Sequence, residues 1–234
     1  MQAATPMGTA QRLNRDVIPF RRRIGDAPAP WGGLGGGLAE RTRRAFARDD
    51  EIFVEGDSAG VFYKLVTGAV RTYRLLSDGR RQIDAFHFAG DAFGLEGGDR
   101  HRCSAAAICD VTVEVWLRSE LRTPAGDAGC SAELMTAMMR RLEQAQGHMV
   151  LLGCKNAREK VATFLLGIAA RTPGLGNHIE LPMMRCDIAD HLGLTIETVS
   201  RTIAELARDG VIGRPGRART FALRDLAALR HLSC

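Results

Sequence analysis

The segment Asp187–Leu206 constrains the fold more than any other part of this 234-residue chain. Its apolar residues recur at helical spacing on both sides of Gly193, and a glycine there supplies the permissive backbone of a tight turn. Two helices meeting at that turn, a helix-turn-helix, are therefore predicted. Thr195 is placed to cap the second helix, and Glu197 sits in its first turn, where negative charge is favoured. At about 100° per residue, Val199, Ile203 and Leu206 share one face and are expected to pack on Ile188, Leu192 and Leu194. Glu197, Ser200 and Arg201 fall on the opposite side, near the helix N-terminus.

Those three side chains suit base reading in a major groove. Arg201 can donate twice to guanine, Glu197 can accept from cytosine, and Ser200 can bond to or pack on a neighbouring base. A recognition helix reads bases with its N-terminal residues. The competing reading is an ordinary i, i+4 surface pair between Glu197 and Arg201. Capped turn, buried face and polar face together favour double-stranded DNA as the partner. Gly210–Phe221 reads as a small β-hairpin carrying Arg214, Arg217 and Arg219 around a Pro-Gly turn, a basic wing suited to phosphates. Arg185, Thr195 and Thr198 are further phosphate candidates.

Upstream, Met135, Met138, Leu142, Ala145, Met149 and Leu152 follow one another at steps of 3 and 4 residues. That is a heptad seam, which predicts a helix pairing with a second copy to make a homodimer. A lone amphipathic helix lying on its own domain is the alternative. Asn156–Ala170 is expected to continue as helix, with Val161, Phe164, Leu165 and Ile168 on one face and Pro173-Gly174 ending it. His178–Pro182 reads as a short strand.

From Glu51 to about Leu121 the pattern changes to short strands. Gly56-Asp57, Thr67-Gly68, Ser77-Asp78-Gly79 and Ala89-Gly90-Asp91 break the apolar runs, as in an antiparallel sandwich or barrel. Val111, Val113 and Val115 alternate with Thr112 and Glu114, and Ser77–Arg80 reads as a hairpin tip. Leu38–Phe46 reads as a short helix. The expected organisation is an irregular extension over residues 1–30, a sensor-like β domain over 31–130, a dimerisation helix over 131–155 and a DNA-binding domain over 156–234. The fold class is α+β.

Composition adds exclusions. No run of about 18 apolar residues is present, so no membrane span is expected. Arg12, Arg15, Arg21, Arg22 and Arg23 are followed by no apolar core, so no secretory signal is read and a cytoplasmic location is expected. Residues 155–234 carry 12 basic and 8 acidic side chains, in keeping with a nucleic-acid partner. The six cysteines form no C-x-x-C pair and no zinc-like quartet. Neither a metal site nor any nucleophile–base set or phosphate loop is found, so the reading is a regulator and not an enzyme. Cys186, beside Arg185 near the start of the first helix, is either a redox brake on DNA binding or a tolerated surface thiol.

Asn156-Ala-Arg-Glu-Lys-Val-Ala-Thr-Phe-Leu-Leu and Leu181-Pro-Met-Met-Arg-Cys-Asp-Ile-Ala-Asp-His-Leu-Gly-Leu-Thr-Ile-Glu-Thr-Val-Ser-Arg resemble the CRP/FNR superfamily of bacterial transcription regulators. The resemblance spans about residues 45–230, and the second segment looks most like the FixK-type branch. It implies an antiparallel β-roll of the cyclic-nucleotide-binding kind, a long dimerisation helix and a C-terminal winged helix-turn-helix. It further implies an activator that works with RNA polymerase at a TTGA-N6-TCAA palindrome, read by Glu197, Ser200 and Arg201. Relatives that read TGTGA tend to have arginine and glycine where this chain has Ile196 and Ser200. Residues 1–102 contain no cysteine, so the iron–sulfur ligands of oxygen-sensing relatives are absent. Gly94-Leu95-Glu96 and Arg102-Cys103-Ser104 only loosely echo cyclic-nucleotide binders, and His87 and His101 read as surface or packing residues rather than haem ligands. FixK-type regulators act without a cofactor and govern low-oxygen respiration and nitrogen metabolism. A ligand-gated regulator of the same fold is the alternative.

Overall fold

Gly68 is where the chain crosses from one β-sheet to another. Its φ is +88°, and a Cβ there would lie 2.5 Å from the Asp110 carbonyl oxygen, so only glycine fits. The computed structural model describes residues 42–119, 128–171, 177–213 and 220–233. Before the crossing come β1 (Arg43–Phe46), β2 (Glu51–Phe53) and β3 (Val61–Thr67). After it come β4 (Ala69–Leu75), β5 (Arg81–Phe88), β6 (Ala92–Phe93), β7 (Ser104–Ala107) and β8 (Val111–Leu117). They pair antiparallel into two four-stranded sheets, ordered β1-β8-β3-β6 and β2-β7-β4-β5.

The alternation expected of β8 holds over its first half and stops at Val115, which is half-buried like Glu114. Val111 and Val113 are buried, while Thr112 and Glu114 are only half-buried. The sheets enclose Ile52, Phe53, Tyr63, Leu65, Val70 and Phe93. The Phe53 ring stacks on Tyr63, Phe93 and His101, with centroids 5.7, 6.3 and 3.7 Å away. Burial pushes the Tyr63 phenol up to about 12. Ser77–Arg80 forms the expected hairpin tip, with Leu76 N–H donating to the Arg80 carbonyl at 2.8 Å and Gly79 N–H to the Leu76 carbonyl at 2.9 Å.

Helix α1 (Ala128–Cys154) carries the heptad seam, and α2 (Ala157–Arg171) follows. The remaining elements are β9 (His178–Glu180), α3 (Arg185–Leu192), α4 (Ile196–Arg208), β10 (Thr220–Ala222) and α5 (Leu226–Ser233). The three last helices share one core with α2, built on Val161, Leu165, Ile188, Leu192, Val199, Leu206 and Leu229.

Three expectations need correction. The helix read over Leu38–Phe46 is not formed in its described part, because Arg43–Phe46 pairs with β8 and Arg43 binds Glu114 across the pair at 3.1 Å. Helix does not continue through Asn156. Its Oδ1 accepts from Arg158 N–H and Glu159 N–H at 3.0 and 3.1 Å, and Glu159 Oε2 accepts from Asn156 N–H at 2.9 Å. This capping box starts a new helix after a two-residue break. Finally, the hairpin read over Gly210–Phe221 has a short stem. Ile212 bridges Leu223 and Gly213 N–H donates to Ala222, but β10 takes β9 as its main partner.

Candidate nucleic-acid interface

The two helices of the motif are built as their residues dictate. Asp187, the third residue of α3, accepts from Met184 N–H at 3.1 Å and so satisfies an orphan donor of the helix start. Gly193 ends α3 in the left-handed region at φ +62°. The buried Lys160 ammonium donates to the Leu192 carbonyl at 3.2 Å, a cation on the negative end of α3. Thr195 then caps α4, its hydroxyl accepting from Thr198 N–H at 3.2 Å.

Helix α4 is divided as its sequence predicts. Val199, Ile203 and Leu206 are buried in the shared core with Ile188 and Leu192, and Leu194 packs against them. Thr202 is buried with them, which its polar side chain did not announce. Glu197, Ser200 and Arg201 are exposed, as are Ile196 and Ala204. Among the described residues no hydrogen bond or ion pair engages Glu197, Ser200 or Arg201, so the i, i+4 surface pair does not form here. Ile196 is an apolar residue left open beside Glu197. The sequence signal for it was an isoleucine at the first helical position, outside the buried stripe.

The phosphate candidates fall into two groups. Thr195 and Thr198 lie together at the start of α4, their hydroxyls 3.0 Å apart. Arg185 is half-buried, and its guanidinium lies 5.1 Å from the centre of the Phe221 ring. Arg214, Arg217 and Arg219 lie outside the described residues. Cys186 is half-buried and lines a cavity of about 210 Å³ together with Arg48, Arg71, Met184 and Asp187.

The heptad residues run along α1. Met135, Met138, Leu142 and Met149 are 60, 50, 53 and 66% exposed, and Ala145 is also open. Met139, next to this stripe, is exposed as well. Leu152, at the end of the stripe, is half-buried against the shared core of its own chain.

The residues that echo cyclic-nucleotide binders are used internally. Glu96 accepts from Arg102 N–H at 3.3 Å and lies 3.7 Å from His101. The buried Ser104 hydroxyl accepts from Glu55 N–H at 3.0 Å, whereas Arg102 is exposed. His87 and His101 are both buried packing residues, His87 lying 3.2 Å from the Thr72 hydroxyl. Among the described residues no three His, Cys, Asp or Glu side chains gather in a way that could hold a metal. No described helix is long and apolar enough to cross a membrane.

Comparison with known proteins agrees with this architecture. The cyclic nucleotide-binding domain family matches residues 43–123, and the Crp-like helix-turn-helix domain family matches residues 159–232. The nitrogen fixation regulation protein FixK of Azorhizobium caulinodans is 45% identical over 82% of this chain and 79% of its own length. The transcriptional activatory protein AadR of Rhodopseudomonas palustris is 42% identical over 75% of this chain and 74% of its own. The solved structure of FixK2 from Bradyrhizobium japonicum superposes with a TM-score of 0.77 at 46% identity, covering 83% of this chain and 98% of that one. β-roll, long helix and helix-turn-helix follow one another as in these relatives, and the chain belongs to the CRP/FNR superfamily of DNA-binding transcription regulators, in its FixK-type branch.

Proposed function

We propose that this regulator binds as a homodimer to a TTGA-N6-TCAA palindrome, each α4 reading one half-site with Glu197, Ser200 and Arg201. The observation that carries this is the division of α4. One face is buried, while the other presents an acceptor, a hydroxyl and a guanidinium that no described protein group engages. The Ile196 side chain adds an apolar surface suited to a thymine methyl. Thr195, Thr198, Arg185 and the wing arginines Arg214, Arg217 and Arg219 act on phosphates, adding affinity without sequence information.

Two copies pair through Met135, Met138, Leu142, Ala145 and Met149, with Leu152 dividing its surface between the pair and its own core. A row of open methionines and a leucine at heptad spacing favours this over a helix lying on its own domain. The protein acts as an activator with RNA polymerase, in nitrogen or low-oxygen gene control; the nitrogen fixation role named for FixK and the activatory role named for AadR support the nitrogen and activator parts of this reading. It needs no cofactor. In support, the β-roll interior holds the stacked rings of Phe53, Tyr63, Phe93 and His101, and Glu96 and Ser104 are already bonded within the chain.

Selection of bound sites from random duplex DNA by the purified protein, without added ligand, tests the palindrome, its two-fold symmetry and the independence from a cofactor together. A two-fold TTGA palindrome is the expected result. Binding that appears only with an added cyclic nucleotide would favour a ligand-gated regulator instead.

A further inference from the structure

Helix α3 is fastened to the β-roll by three consecutive residues of β5, an edge strand of its sheet. The Arg81 guanidinium forks across the helix. Its Nη2 donates to Asp187 Oδ1 at 2.6 Å and its Nε donates to Asp190 Oδ2 at 2.8 Å. Gln82 Nε2 donates to the His191 carbonyl at 3.4 Å, and His191 Nδ1 lies 3.1 Å from the Ile83 carbonyl oxygen. Arg71 on β4 adds a second cation 3.4 Å from Asp187 and is held from behind by Asp49 at 3.0 Å.

Asp187 is only 2% exposed, and its other oxygen already caps α3. A carboxylate so buried is costly unless it is paired. Losing Arg81 therefore leaves a buried carboxylate with only the longer Arg71 contact at 3.4 Å and the Met184 N–H, which penalises the docked position of α3. The chain offers a place to pivot, because α1 and α2 are separate helices on either side of Lys155-Asn156.

We propose that Arg81 is a positioning residue for DNA recognition: by clamping Asp187 and Asp190 it fixes the angle of the helix-turn-helix against the β-roll, and so the half-site spacing a dimer accepts. This rests on the dimeric, palindromic reading given above. Each inserted base pair turns one half-site by about 35° around the duplex, so spacing reports orientation directly. Lysine at position 81 carries the charge on a single flexible ammonium and lacks the rigid planar fork that meets both carboxylates at a fixed angle.

The test is competition binding of the full chain to four duplexes: TTGA-N6-TCAA, the N5 and N7 versions, and a single half-site. Wild type should prefer the six-base spacer. Arg81→Gln should lower that preference at least about fivefold, with half-site binding unchanged. Arg81→Lys should restore little, and Asp190→Asn, on the more open carboxylate, should fall between and serves if Arg81→Gln does not fold. Wild-type spacer ratios in Arg81→Gln and Asp190→Asn would overturn the clamp. So would equal weakening on all four duplexes, which marks lost stability rather than lost orientation. A wild-type protein indifferent to spacing would overturn the palindromic reading, and the clamp with it.

Discussion

His148 on α1 and His191 on α3 lie face to face, their rings 4.2 Å apart and 15° from parallel. His191 also packs against Phe86 and Phe164, so the pair sits where the long helix, the β-roll and the DNA-binding helices meet. Burial pulls His191 down to about 3, helped by the positive charge of a protonated His148 and by Arg141, and opposed by the bond to the Ile83 carbonyl. Burial also lowers His148, with Asp84 opposing and Arg141 and Lys160 assisting. Both folded-state values lie below the unfolded one of about 6.5, so the unfolded chain binds more protons as pH falls. Stability is thus full above about pH 6.5 and declines toward about pH 3. Denaturant unfolding should show His191 alone costing about 1.4 kcal/mol between pH 7.5 and 5.5. His191→Gln should flatten that slope, and an unchanged slope would refute its origin in this ring.

Arg201→Ala should weaken binding to the preferred palindrome by about 1–3 kcal/mol and relax selectivity at one guanine. Competition with singly substituted sites measures both. A uniform loss across all sites would instead assign Arg201 to phosphate.

Leu142→Glu places like charges opposite one another in the middle of the paired seam. The dimer dissociation constant should rise by at least about tenfold, and palindrome binding should fall with it. Sedimentation velocity reads the first and gel shift the second. A dimer that survives the change would move the interface away from α1.

Oxidation of Cys186 adds oxygen atoms and negative charge to a thiol that borders Met184 and Asp187 at the start of α3. Peroxide should therefore reduce DNA binding by the wild type and spare Cys186→Ser. Equal inhibition of both would return Cys186 to the role of a tolerated thiol.

What could be read from the sequence was local. Gly193, Thr195 and the stripe Val199–Leu206 announce their structure within a turn or two, because helical period and capping act over three to four residues. The β-roll was legible as a rhythm of turns, yet β1 was misread, since its partner β8 lies 71 residues away at Glu114. The break at Lys155 was visible in principle as Asn156-Ala-Arg-Glu159, a capping box hidden in an otherwise continuous helical pattern. The Arg81–Asp187 bond joins residues 106 apart, and no periodicity in either segment points to the other. The exposure of Glu197, Ser200 and Arg201 was legible because they fall, with Ile196 and Ala204, outside the buried face of α4.

The two-residue break at Lys155-Asn156 makes α2 a lever. Its 15 residues at about 1.5 Å per residue give an arm of roughly 22 Å. A rotation of about 10° at the joint therefore sweeps the far end of α2 through roughly 4 Å, close to the 3.4 Å rise of one base pair. For the proposed dimer to meet two half-sites in register, the angle at Lys155-Asn156 must hold to within a few degrees, so two residues with no place in the recognition surface share that mechanical tolerance with the Arg81 clamp.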